Sequence, residues 1–76
     1  MFDIFESMTI KQGKYRHFKG NFYQVIGTAL HSETLVEYVV YKALYGEQKL
    51  WIRPAKMFNE LVEKEGKKVP RFEFVE

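Results

Sequence analysis

A chain of 76 residues without a single cysteine has to hold itself together by packing alone. Domains this small bury a thin core, and many of comparable length are stapled by disulfides or a metal. Here disulfides and thiolate zinc sites are both excluded. The sequence compensates with rings: seven Phe, five Tyr and one Trp. Each can remove roughly 150–250 Å² from water. A single domain with a compact aromatic core is therefore expected.

Short apolar runs separated by turn residues set the architecture. Tyr15-Arg16-His17-Phe18 reads as a first strand, Lys19-Gly20-Asn21 as a turn, and Phe22 to Leu30 as a second strand. A period of two puts Tyr23, Val25, Ala29 and His31 on one face. Gly27, in mid-strand, marks a bulge or sharp bend. His31-Ser32-Glu33-Thr34 is a polar connection, and Leu35 to Tyr45 is a third strand, apolar on both faces and so central. After the turn Gly46-Glu47-Gln48-Lys49, Leu50-Trp51-Ile52-Arg53 forms a fourth strand that Pro54 ends. Residues 61–65 fit two patterns. Pro54 and Gly66 bracket a helix with Met57, Phe58, Leu61 and Val62 on one stripe. Alternatively, one helical turn at 55–60 precedes a hairpin in which 61–64 pairs with 69–75 around Glu65-Gly66-Lys67-Lys68. Residues 1–12 read as an N-terminal arm or short helix, and 13–76 as the domain. The expected fold is mainly β: a small single-domain curled sheet or SH3-like β-barrel of about five to six strands with one short helical turn.

Charge excludes little. Twelve basic residues against ten acidic give a net charge of +2, too balanced to argue for nucleic acid from bulk charge. No apolar run approaches the roughly 20 residues of a membrane span. Met1 to Glu6 lacks the basic start of a secretory signal, so a cytoplasmic location and no membrane partner are expected.

The wording of the chain from Gly13-Lys14-Tyr15-Arg16-His17-Phe18-Lys19-Gly20, through Tyr23, Val25 and Ala29-Leu30-His31-Ser32-Glu33-Thr34, is specific. So is Val39-Val40-Tyr41-Lys42-Ala43-Leu44-Tyr45-Gly46, followed by Trp51-Ile52-Arg53-Pro54, Met57-Phe58 and Val69-Pro70-Arg71-Phe72. Over about residues 13–74 it resembles the small bacterial family called domain of unknown function 1653. Lys42 stands where that family usually has Arg. The resemblance implies a short stand-alone bacterial protein and favours the hairpin for 61–65. It brings no agreed activity, cofactor or partner, so no catalytic role is carried over.

Candidate chemistry falls in two places. His31, Ser32 and Glu33 have the residue types of a triad, but a triad needs a hydrogen-bonded line of side chains, and neighbours in an extended segment point to alternate sides. Turn chemistry is the simpler reading, with Ser and Thr bonding nearby amides. His17 and His31 lack a metal-binding spacing, so neither metal nor cofactor is expected. The second place is a mixture of rings and cations. Tyr15 and His17 lie near the first turn, Tyr41 on strand three, Trp51 and Arg53 on one face of strand four, and Arg71 after Pro70. Small β folds bind single strands by stacking bases on aromatics while Arg and Lys follow phosphates. The candidate ligand-binding residues are Tyr15, His17, His31, Glu33, Tyr41, Trp51, Arg53 and Arg71, with His31 and Glu33 at the rim of a groove floored by Tyr41 and Trp51. The expected function is a binding module for RNA, single-stranded DNA or a nucleotide-like ligand, without catalysis of its own. A peptide-binding adaptor using a groove or sheet edge is the alternative, and a small hydrolase using His31 and Glu33 the least favoured reading.

Overall fold

The structure, a computed structural model, describes residues 10–76. Alternation of large apolar and polar side chains builds seven strands: β1 (Gly13–His17), β2 (Phe22–Leu30), β3 (Glu37–Ala43), β4 (Leu50–Pro54), β5 (Leu61–Lys64), β6 (Lys67–Pro70) and β7 (Phe72–Phe74). One helical turn, α1 (Ala55–Phe58), follows β4. The main sheet is antiparallel with strand order β4-β3-β2-β1-β7, and β5 and β6 form a separate hairpin. The curled-sheet expectation holds; the barrel alternative does not, because β4 and β7 lie at opposite open edges. Pro54 stops β4, and the chain turns at once into α1 instead of continuing toward β7.

The inner face of the sheet carries Tyr15, Tyr23, Val25, Val39, Tyr41 and Ala43, with Phe72 and Phe74 from β7. Most are buried, and α1 presses Ala55 and Phe58 onto them. Phe58 and Phe72 stack with centroids 4.1 Å apart and planes 6° from parallel. Tyr15 and Tyr41 meet Phe58 at 5.4 and 5.6 Å. The chain thus achieves cohesion by interlocking rings. Ile10 packs against the same cluster; the arm or helix expected over 1–12 otherwise lies mostly outside the described residues.

Gly27 does mark a bulge: the β2–β3 register slips between Val25 and Gly27. The extra residue reverses the alternation beyond it. Thr28 and Leu30, opposite Val39 and Glu37, join the inner face, and Ala29, opposite Tyr38, goes to the outer one. The expected grouping of Ala29 and His31 with Tyr23 and Val25 fails for this reason.

The hairpin reading of 61–65 is the observed one. Its turn is the two residues Glu65 and Gly66, tighter than the four expected, and both have positive φ (53° and 81°). That combination matches the twist of paired strands. The last run, expected as one strand over 69–75, is broken at Arg71. Its N–H donates to the Glu60 carbonyl (2.9 Å), its carbonyl accepts from the Phe18 amide (2.9 Å), and its guanidinium meets Glu60 Oε1 at 3.1 Å. This kink carries the chain from the hairpin onto the edge of β1. There Gly13 is obligatory: φ is +143°, and a Cβ would lie 2.8 Å from both the Glu76 carbonyl oxygen and the Phe74 ring.

Candidate functional site

Strand directions divide the inner face into two ends. β1 and β3 finish, and β2, β4 and β7 begin, at one end; this brings His17, Tyr23, Tyr41, Trp51 and Phe72 into one neighbourhood. His17 lies 4.9 Å from the Phe72 ring and 6.1 Å from Tyr23, and Tyr23 meets Tyr41, Tyr45 and Phe72 at 5.4–5.5 Å. Trp51 faces Tyr41 across the β3–β4 ladder but is half exposed, because β4 is the edge strand and among the described residues no strand pairs beyond it. Arg53 shares that face. Its Nε donates to the Tyr41 hydroxyl at 3.4 Å, and its guanidinium stands 5.9 Å from the Phe72 ring centre. Among the described residues no carboxylate forms a salt bridge with it.

The positive charges nearest the ring cluster are those of Arg53, Arg71 and Lys19. Burial lowers the His17 pKa from its ordinary value, helped by the positive charges of Arg53, Arg71 and Lys19. Its Nδ1 accepts the Lys19 amide at 3.1 Å, which leaves Nε2 as the nitrogen that carries the proton in the neutral ring. Burial also raises Tyr23, and the 2.6 Å hydroxyl contact with Tyr45 adds to this, pushing it to about 12. The cluster itself offers donors and the Arg53 cation, while the flanking surface mixes signs: Lys49 is paired with Glu47 at 3.3 Å, and Glu73 stands near Arg16 and Lys64. Two recesses flank the cluster. One, of about 220 Å³, lies between Tyr45 and Trp51, with Lys49 on its wall. The other, of about 190 Å³, is lined by His17, Arg16, Lys64 and Glu73 among others.

The remaining candidate residues stand elsewhere. Tyr15 is buried under α1, and its hydroxyl donates to the Lys11 carbonyl at 2.8 Å. β1 lies between β2 and β7 rather than at an edge, so its inward ring is core. Arg71 is tied to Glu60, not to Glu33 or Glu37, and its Nε is shielded from solvent without a partner among the described residues. His31 and Glu33 occupy the opposite end, in the β2–β3 connection. That connection is self-sufficient. His31 Nδ1 accepts the amides of Glu33 (3.1 Å) and Thr34 (3.3 Å), Thr34 Oγ1 accepts that of Val36, and Leu35 N–H closes back to the His31 carbonyl. Glu37, the first β3 residue, is already four strand positions from Tyr41, roughly 13 Å. The turn therefore does not rim a groove over Tyr41 and Trp51. Among the described residues no group of three His, Cys, Asp or Glu side chains is placed to hold a metal, and no helix is long and apolar enough to cross a membrane.

Tyr23 and Phe72 join this cluster although the sequence did not single them out, and Tyr45, one of the strand-three rings grouped with the cations in the sequence, joins it too. The signal was present in the shared inward parity of Tyr23 and Tyr41, but each ring alone reads as core.

Known proteins place these observations in context. A family model described as "Protein of unknown function (DUF1653)" matches residues 13–74. A crystal structure of a DUF1653 protein from Bordetella bronchiseptica is similar at 35% sequence identity and a TM-score of 0.81, with 87% of each chain covered. No curated protein matches the chain.

Proposed function

The chain belongs to the DUF1653 family of proteins of unknown function, and we propose that it is a binding module for single-stranded nucleic acid or a nucleotide-like ligand, held at the His17–Trp51 end of the inner face. One observation carries this reading: half-exposed Trp51 and Tyr45 flank a recess at the same sheet end as the cationic and donor groups of His17 and Arg53. A base needs a ring to stack on, and a phosphate needs donors nearby. In this arrangement the base enters between Tyr45 and Trp51. The phosphate lies toward Arg53 and His17 Nε2, and a following nucleotide reaches the recess beside Arg16 and Lys64. The reading includes no catalysis, since His31 is engaged in its own turn.

The test is a titration of Trp51 fluorescence with short single-stranded oligonucleotides. Stacking changes the emission of the single tryptophan, and Tyr45→Ala weakens binding by about five-fold or more, in line with about 1–3 kcal/mol per stacked base. With two phosphates contacted, raising salt from about 50 to 200 mM lowers affinity about seven-fold. Unchanged Trp51 emission at high oligonucleotide concentration, together with binding indifferent to Tyr45→Ala, would sink the proposal.

A further inference from the structure

Natural sheets protect their edges with short strands, charges or bulges, because an open edge is a template for another strand. The two edges here differ. β7 has three residues, centred on Glu73 and preceded by the Arg71 kink. β4 offers Leu50, Trp51 and Ile52 in succession, 61%, 51% and 64% exposed. Among the described residues its outward backbone is open too. The Ala43 amide donates to the Lys49 carbonyl, so this pair and every second one after it, Tyr41 with Trp51 and Val39 with Arg53, turn their polar groups toward each other. The amides and carbonyls of Leu50 and Ile52 then point away from the sheet. Pro54 occupies the next outward position, where its missing N–H costs no bond to β3.

We propose that two copies of this chain associate edge to edge through β4, antiparallel and centred on Ile52. Charge selects both the occupant and the register. Centring on Trp51 would set Lys49 against Arg53 of the second copy, two like charges face to face. Centring on Ile52 sets Trp51 against Arg53 of the second copy, twice by symmetry, a pairing of cation and ring face. Backbone groups agree: Ile52 pairs with its symmetry mate through two hydrogen bonds, and each Leu50 amide meets a Pro54 carbonyl. The two-fold axis stands perpendicular to the sheet, so both inner faces look the same way. Trp51 and Arg53 also face the proposed ligand, whereas Ile52 does not, so the variants that test the dimer are placed at Ile52.

Five paired residues make an interface well below the about 800 Å² per partner of stable complexes. The dimer is therefore weak, forming between about 10 µM and 1 mM. Analytical ultracentrifugation across that range shows the average mass rising from 9.1 kDa toward twice that value. Ile52→Lys leaves the fold unchanged, since the side chain is exposed, and abolishes the rise. In this cysteine-free chain, Ile52→Cys forms a disulfide dimer under mild oxidation, because directly hydrogen-bonded partners sit about 5.5 Å apart, within disulfide reach. A wild-type chain that stays monomeric at 1 mM overturns the proposal. So does a dimer that survives Ile52→Lys, or cross-linking of Leu50→Cys in preference to Ile52→Cys.

Discussion

Replacing Phe58 by Ala tests the packing argument most directly. The side chain is 1% exposed and stacks flush on Phe72, with Tyr15 and Tyr41 against its remaining sides. Buried Phe→Ala changes cost about 3–5 kcal/mol. The upper part of that range is expected, because a four-residue helix has no stability of its own to hold α1 in place once its anchor is gone. Against a total of about 4–11 kcal/mol for a domain of this length, the variant loses between a third and all of its stability. Each kcal/mol lowers Tm by about 4–8 °C at this size. Phe58→Leu keeps most of the buried area and loses the ring geometry, for a cost of about 1–2 kcal/mol. Urea unfolding followed by far-UV circular dichroism and Trp51 fluorescence measures both, with coincident transitions and a shared slope as the check on two-state behaviour. A loss below about 1 kcal/mol for Phe58→Ala, or equal losses for Ala and Leu, refutes the account of a core held by interlocking rings.

Two further outcomes are expected. Glu65 sits at φ 53° in the β5–β6 turn, a conformation that Asn adopts at lower cost, so Glu65→Asn gains about 0.5–1 kcal/mol in urea midpoint measurements. His17 is held below its ordinary value of 6.5 by burial and by the charges of Arg53, Arg71 and Lys19. The unfolded chain therefore takes up the proton first as pH falls, and stability that His17 contributes above about pH 6.5 declines as pH drops through the folded value. The stability difference between wild type and His17→Asn accordingly shrinks from pH 7.5 to 5.5, and a difference that stays constant or widens contradicts the burial of a neutral ring.

Strand spacing was legible in the sequence because turn residues and alternating rings are local signals. Phe22–Leu30 and Leu50–Arg53 follow from them almost to the residue, whereas the single turn of helix behind Pro54 was one of two patterns the residues allowed and was favoured only by the family resemblance. What escaped depends on longer-range facts. The bulge at Gly27 was readable, but its effect on parity has to be carried forward residue by residue, and it moves Ala29 to the outer face. Tyr15 reads as a ligand contact until the strand order puts it between β2 and β7. The kink at Arg71 exists because Glu60, eleven positions earlier, catches it. His31 and Glu33 drew attention by their chemistry, while the ends of the sheet, not the residue types, decide which groups can meet.

The pairing of β1 with β7 joins residues about sixty positions apart, Tyr15 opposite Phe74. Everything between them can form from near neighbours: β1 on β2, β2 on β3, β3 on β4, and the β5–β6 hairpin. Closing the remaining seam carries the largest loop entropy of the fold, and it also delivers Phe72, the ring on which His17, Tyr23, Tyr41 and Phe58 converge. On a ribosome the growing chain can hold most of its sheet while this ring is still inside the exit tunnel. The ring cluster around Phe72 is then the last part of the core to form, completed only once β7 can pair with β1.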